Sequence, residues 1–247
     1  MPEFIPATEL PDLYVEINGV RWATRNLDTS NLTGDFAGFA IHPAYPGLVY
    51  QFDRISGWIL EERPSVGAGI NHRWGPVGIN DDYTAARAWR AEAWNNINVI
   101  SPGWYADRDP CRIVGDGNWR LPTIEELRSL ALAGHQEYYM MRACGRCQPG
   151  RLVGTAPNQI FVPFVGARGP LGPVEFVNFR GTLWSAWVPI DAVPSVAIFA
   201  PTGFLGNAPT GVLIAGVPAS NNPPFYNAAT VGQDRRRGNS IRCVRVD

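Results

Sequence analysis

The chain contains no lysine; all 21 of its basic residues are arginine. A bias of composition accounts for that, and no function follows from it. Excess charge of one sign is missing as well, because the arginines are balanced by 22 acidic residues for a formal net charge of -1. Such a balance offers no electrostatic attraction to nucleic acid or to an anionic bilayer. No apolar run approaches the roughly 20 residues of a membrane helix, so direct membrane insertion is not expected. Met1, Pro2, Glu3 and Phe4 carry neither the charged start nor the apolar run of a secretory leader. Histidine is scarce, with only His42, His72 and His135, far apart in sequence. No zinc-protease helix pattern, nucleophile elbow or phosphate loop occurs. Ser185 lies in Trp184-Ser185-Ala186-Trp187, without the flanking glycines of an elbow, and reads as a strand residue. The acidic pairs Glu61–Glu62, Asp81–Asp82 and Glu125–Glu126 are sequence neighbours rather than a catalytic pair held apart.

What is present is enough apolar material for a real core: 247 residues, 45% of them hydrophobic. A single domain is expected over residues 1–247, with 1–12 as an extended tail. The 26 glycines and 22 prolines point to short strands, many turns and long ordered loops. Leu13, Val15 and Ile17 alternate with Tyr14 and Glu16; Asn18-Gly19 then separates them from a second short run. That is the pattern of a type I′ hairpin, whose two central residues need positive φ. Residues 25–80 show little periodicity and read as ordered loops with short strands. Residues 82–95 read as a helix, capped by Asp82, with Ala86, Trp89 and Ala93 on one face. A second helix starts with a capping box, Thr123 at the N-cap and Glu126 at N3. Ile124, Leu127, Leu130 and Ala131 form its apolar stripe, and Gly134 suits its end. Strands are expected at 160–165, 183–188, 195–200, 212–215 and 240–246. Two helices and a strand-rich second half predict an α+β domain, mostly antiparallel, with the first strand pair beside the last strand.

Four stretches carry a family resemblance. Gly117-Asn118-Trp119-Arg120-Leu121-Pro122-Thr123, continuing to Leu127, resembles a "WRLPT-x-x-EL" signature. Val20-Arg21-Trp22-Ala23-Thr24-Arg25-Asn26 resembles "WATRNV", Leu183-Trp184-Ser185-Ala186-Trp187 resembles "YWSST", and Ser240-Ile241-Arg242-Cys243-Val244-Arg245 resembles "SVRCVR". In this order they are similar to a bacterial domain family. It comprises the C-terminal domain of Legionella collagen-like proteins and the Fibrobacter succinogenes major paralogous domain. The chain departs from the pattern at Trp187 and in the long Pro/Gly-rich stretch after it. The resemblance implies a C-type-lectin-like fold in secreted or cell-surface proteins, often adhesins. Relatives include the variable proteins of diversity-generating retroelements, whose binding residues precede the final strand.

By that similarity the binding surface falls at about 189–239. Its candidate contacts are Asn207, Asn221, Asn222, Phe225, Tyr226, Asn227 and the run Arg235, Arg236, Arg237. Aromatics give contact area at low entropic cost, and amides and guanidinium groups give adaptable hydrogen bonds. Trp119 and Trp184 are possible sugar-stacking platforms but read as core. Asp107, Asp109, Asp116 and Asn118 offer oxygens to Ca²⁺, yet their spacing fits no defined loop; no cofactor is expected. Asn31-Leu32-Thr33 matches a glycosylation sequon.

The four cysteines suit disulfides. Cys144-Gly145-Arg146-Cys147 reads as a local disulfide, a redox pair, or half of a zinc site with His135. Cys111 and Cys243, if bonded, close a loop of over a hundred residues, which chain-entropy estimates value at about 4–5 kcal/mol. If free, Cys243 is a small buried apolar residue. The expected function is therefore a non-catalytic module that binds a protein or glycan. The alternatives are a formylglycine-generating-enzyme-like or other oxidoreductase using Cys144 and Cys147, and a structural domain of a surface assembly.

Overall fold

The computed structural model describes residues 13–31, 33–55, 57–64, 70–77, 104–115, 117–133, 135–138, 147–169, 174–178, 180–186, 196–199, 212–214 and 237–246. The expected tail at 1–12, the expected helix at 82–95 and Gly134 lie outside them. The described residues form sixteen strands in three sheets, one α-helix, α1 (Ile124–Leu132), and a 3-10 turn at Pro110–Ile113. The expectation of an α+β domain with two helices is corrected: the molecule is mostly β, in antiparallel, partly curled sheets.

The first sheet holds β1 (Tyr14–Ile17), β2 (Val20–Ala23), β16 (Val244–Arg245) and β6 (Trp119–Arg120), in that order. β1 and β2 are joined by Asn18 and Gly19, at φ 53° and 76°, the two left-handed residues that a type I′ turn requires. Val244 opposes Trp22 on one side and Arg120 on the other, so the first hairpin and the last strand share one sheet.

The second sheet runs β14 (Val212–Ile214), β13 (Val196–Phe199), β12 (Gly181–Trp184), β15 (Gly238–Ser240), β3 (Leu48–Gln51), β4 (Gly57–Pro64), β5 (Ile70–Val77). β10 (Ala167–Arg168) pairs with β15 and with β11 (Val174–Glu175). Among the described strand pairs, the β12–β15 step is parallel, and Gly181 of β12 also bridges Gly166 in parallel. A third sheet holds β7 (His135–Tyr138), β8 (Gly150–Thr155) and β9 (Asn158–Pro163). The β4–β5 hairpin, in a stretch read as loops, is paired through eight residues. Its strands contain Glu61, Glu62, Arg63 and Pro64, then Gly75 and Pro76, so side-chain alternation does not announce it. The expected single strand at 240–246 is split. β15 belongs to the second sheet and β16 to the first, and Ile241–Cys243 carries the chain between them.

α1 begins as expected. Thr123 Oγ1 accepts the Glu126 N–H at 3.2 Å, and Glu126 Oε2 accepts the Thr123 N–H at 2.7 Å. Its stripe Ile124, Leu127, Leu130 and Ala131 is buried against Ile17, Trp22, Val153 and Val244. A second core gathers Phe39, Tyr50, Trp119, Trp184, Ile241 and Cys243. Trp119 and Trp184 are 1% and 0% exposed, which makes them core and not sugar platforms. Trp184 Nε1 donates to the Tyr50 carbonyl at 2.7 Å, so its polar atom is satisfied inside. Cys111 and Cys243 form a disulfide within this core.

Candidate functional site

Asn207, Asn221, Asn222, Phe225, Tyr226, Asn227, Arg235 and Arg236 lie outside the described residues. Arg237 is described. It directly precedes β15, where the candidate segment re-enters the sheet, and it is half-buried in an ion pair with Glu175 of β11. The pair follows from register. Ala167 opposes Glu175, and Arg168 opposes both Val174 and Gly238. Side chains alternate across a strand, so Arg237 and Glu175 share one face while Arg168 takes the other. There Arg168 lies 4.4 Å over the Trp58 ring, and burial pulls its pKa down to about 9.

Beyond Glu175 the chain makes a tight turn. Phe176 and Asn178 both adopt left-handed backbone, at φ 58° and 66°, which is unusual for a bulky aromatic. Gly166 explains how the turn fits: a Cβ there would lie 2.2 Å from the Glu175 carbonyl oxygen and 2.6 Å from the Val177 nitrogen. Three backbone hydrogen bonds seat it. Asn178 N–H donates to Phe164, Arg180 N–H to Phe176, and Gly166 N–H to Arg180. The turn leaves Phe176 42% exposed, with the Arg180 guanidinium 3.6 Å from its ring centroid. Burial, and then the like charge of Arg237, pull the Arg180 pKa down to about 10, partly offset by Glu175. Among the described residues, buried Arg180 Nε has no hydrogen-bond partner. The candidate site is therefore an exposed aromatic ring with a cation over it, beside a neutralised Arg237–Glu175 pair. The sequence singles out Arg237 as a candidate and does not single out Glu175, Phe176 or Arg180. Val174-Glu175-Phe176-Val177-Asn178 reads as ordinary strand, and nothing local marks a left-handed phenylalanine.

The other candidate groups are accounted for otherwise. Cys147 is disulfide-bonded and buried, so its sulfur is not a zinc thiolate; Cys144 lies outside the described residues. His42 Nδ1 sits 3.6 Å from Cys147 Sγ and accepts the Ala44 N–H at 3.1 Å. Burial, then the Arg25 charge, lower the His42 pKa. His135 is on β7. Asp109 spends both carboxylate oxygens on backbone donors, Oδ1 on Cys111 and Oδ2 on Leu121, and so caps the 3-10 turn. Asp116 lies outside the described residues, and Asn118 accepts the Val246 N–H through its carbonyl. Among the described residues no group of three His, Cys, Asp or Glu is placed to hold a metal ion, and no helix is long and apolar enough to cross a membrane. Asn31 of the sequon donates its amide to the Phe36 and Phe39 carbonyls. Ser185 is buried directly after β12.

Comparison with protein-family models, with curated proteins and with solved structures finds no match to the chain. The site is read from its own chemistry.

Proposed function

We propose that the protein is a non-catalytic binding module of a secreted or cell-surface protein. Its contact surface combines the 189–239 segment with the 175–180 turn, and its ligand is a protein or a glycan. One observation carries this reading: Arg237, at the C-terminal root of the segment, is tied to Glu175 beside the exposed Phe176–Arg180 stack. Aromatic and guanidinium groups held on a rigid sheet are the usual anchors of an interface, and loops on such a scaffold vary without unfolding it. The four motifs resembling the Legionella and Fibrobacter domains agree with it. β2, β16 and β6 bring three of them together in one sheet, and the fourth, at β12, pairs with β15. The Cys111–Cys243 disulfide suits an oxidising location. A thiol oxidoreductase has less support, because Cys147 is 4% exposed.

The test is to identify a ligand on glycan arrays and panels of extracellular proteins, then measure its affinity for Tyr226→Ala and Arg236→Ala. The expected result is an unchanged Tm and a loss of about 1 kcal/mol or more, roughly fivefold or greater in Kd. Variants that unfold would place those residues in the core. Variants that fold and bind as well as the parent would move the contact surface elsewhere.

A further inference from the structure

This inference rests on the binding reading above and names the chemistry of one part of its surface. We propose that the 175–180 turn is a carboxylate subsite, which takes an acidic side chain of a protein partner.

The charges are uneven. Arg180 and Arg237 flank one carboxylate, Glu175, and Arg237 holds it. Arg180 makes no ion pair of its own among the described residues, which place one more cation than carboxylate at the turn. Its guanidinium carbon lies over the Phe176 ring, 3.6 Å from the centroid. A stacked guanidinium keeps its N–H groups in its own plane, directed past the ring edge, where a planar carboxylate can accept two parallel hydrogen bonds. Burial has already stripped much of the water from this cation. An arriving anion thus meets a lower local dielectric and a stronger attraction than on an open surface.

The geometry is preorganised. Gly166 lets the turn pack closely and three backbone hydrogen bonds seat it, which limits the conformational entropy lost on binding. A single excess positive charge matches a carboxylate, whereas a phosphate dianion calls for more. The neighbouring 189–239 segment has the length and the Phe, Tyr, Asn and Arg content of a protein interface, which involves about 20–30 residues a side. An Asp or Glu projecting from a protein partner, with apolar neighbours against Phe176, satisfies both features.

The test uses the whole chain and four defined probes: N-acetylglutamate amide, its neutral analogue N-acetylglutamine amide, glucuronate and inorganic phosphate. Binding is followed by the NMR signals of the Phe176 ring and of the Arg180 and Arg237 Nε–H groups. The expected result is a saturable shift with the glutamate amide and at least tenfold weaker binding of the glutamine analogue. Arg180→Lys keeps the charge but loses the planar fork, and should weaken the glutamate probe at least fivefold with unchanged Tm. Glu175→Gln should bind it more tightly, because it releases Arg237; a misfolded variant would not gain affinity. Tighter binding of glucuronate or phosphate than of the glutamate amide would overturn the assignment to a protein side chain. No shift with any probe, or no gain in Glu175→Gln, would overturn the subsite itself. If the subsite fails while Tyr226→Ala still weakens the ligand, the binding reading stands without it. If the subsite holds and Tyr226→Ala and Arg236→Ala change nothing, the binding reading is the one that fails.

Discussion

Arg242 shows how a buried guanidinium can stand in for several hydrogen-bonding groups at once. It is fully buried and donates to the Ala23 carbonyl at 3.2 Å, to Asn26 Oδ1 at 2.6 Å and to the Phe161 carbonyl at 2.8 Å. Those acceptors belong to β2, to the loop after it and to β9, so one side chain joins the first and third sheets. Burial, then the like charge of Arg25, pull its pKa down to about 9, and it remains a cation at neutral pH. Elsewhere the same flat group stacks on rings, Arg25 on Phe36 at 3.5 Å and Arg180 on Phe176. A lysine ammonium is a point charge and cannot stack in this way. Arg242→Met should therefore leave three buried acceptors unsatisfied, each costing about 1–3 kcal/mol. Equilibrium denaturation should show a loss of at least about 3 kcal/mol. A loss below about 1 kcal/mol would mean that water reaches those acceptors and that Arg242 does not hold the sheets together. Arg242 was visible in the sequence only as part of a strand motif. Charged residues are rarely fully buried, so nothing local marked it as core.

The elements that were legible carry local signals. Asn18-Gly19 and Thr123-x-x-Glu126 each state their geometry within four residues. The β4–β5 hairpin does not, because Glu61, Glu62, Arg63, Pro64, Gly75 and Pro76 interrupt any apolar alternation along its strands. The break between β15 and β16 does not either, because it depends on pairing with β3, β12, β2 and β6, far away in sequence. Phe176 is a similar case, since its left-handed turn packs against Gly166, ten residues earlier, where a Cβ would clash. At the start of α1, Glu126 does two jobs. Burial pushes its pKa up, but bidentate bonds from Arg120 at 2.6 and 2.8 Å and the Thr123 N–H outweigh that and hold it below the usual glutamate value. Thr123→Ala should cost about 1 kcal/mol, the usual value of an N-cap. Because the native pKa of Glu126 lies below its unfolded value near 4.5, its contribution is complete above that pH. It is lost as pH falls through the native pKa. Urea titrations at pH 7 and in the acid range should show this component in the parent and not in Glu126→Gln. An identical acid slope in that variant would assign the acid loss to other carboxylates.

At the scale of the whole molecule, the Cys111–Cys243 bond joins residues 132 apart. The loop it closes contains α1, the third sheet and the entire 189–239 segment, and its ends lie in the core with Trp119, Trp184 and Ile241. It thus holds together the two ends of a region that includes the proposed binding surface. The chain-entropy estimate for a loop of this length is about 5 kcal/mol, acting mainly on the unfolded chain. Cys111→Ala/Cys243→Ala avoids placing a hydroxyl in that apolar core and isolates the effect. The double variant should be less stable by about 3–5 kcal/mol, with a larger denaturant m-value, because an unlinked unfolded chain exposes more surface. Its folded fraction should bind ligand as the parent does, since both cysteines are buried in the core. If stability falls by less than about 1 kcal/mol, the unfolded chain is already compact across this loop without the bond. If affinity falls in fully folded protein, the disulfide shapes the site, and the 189–239 segment is not held by the sheets alone.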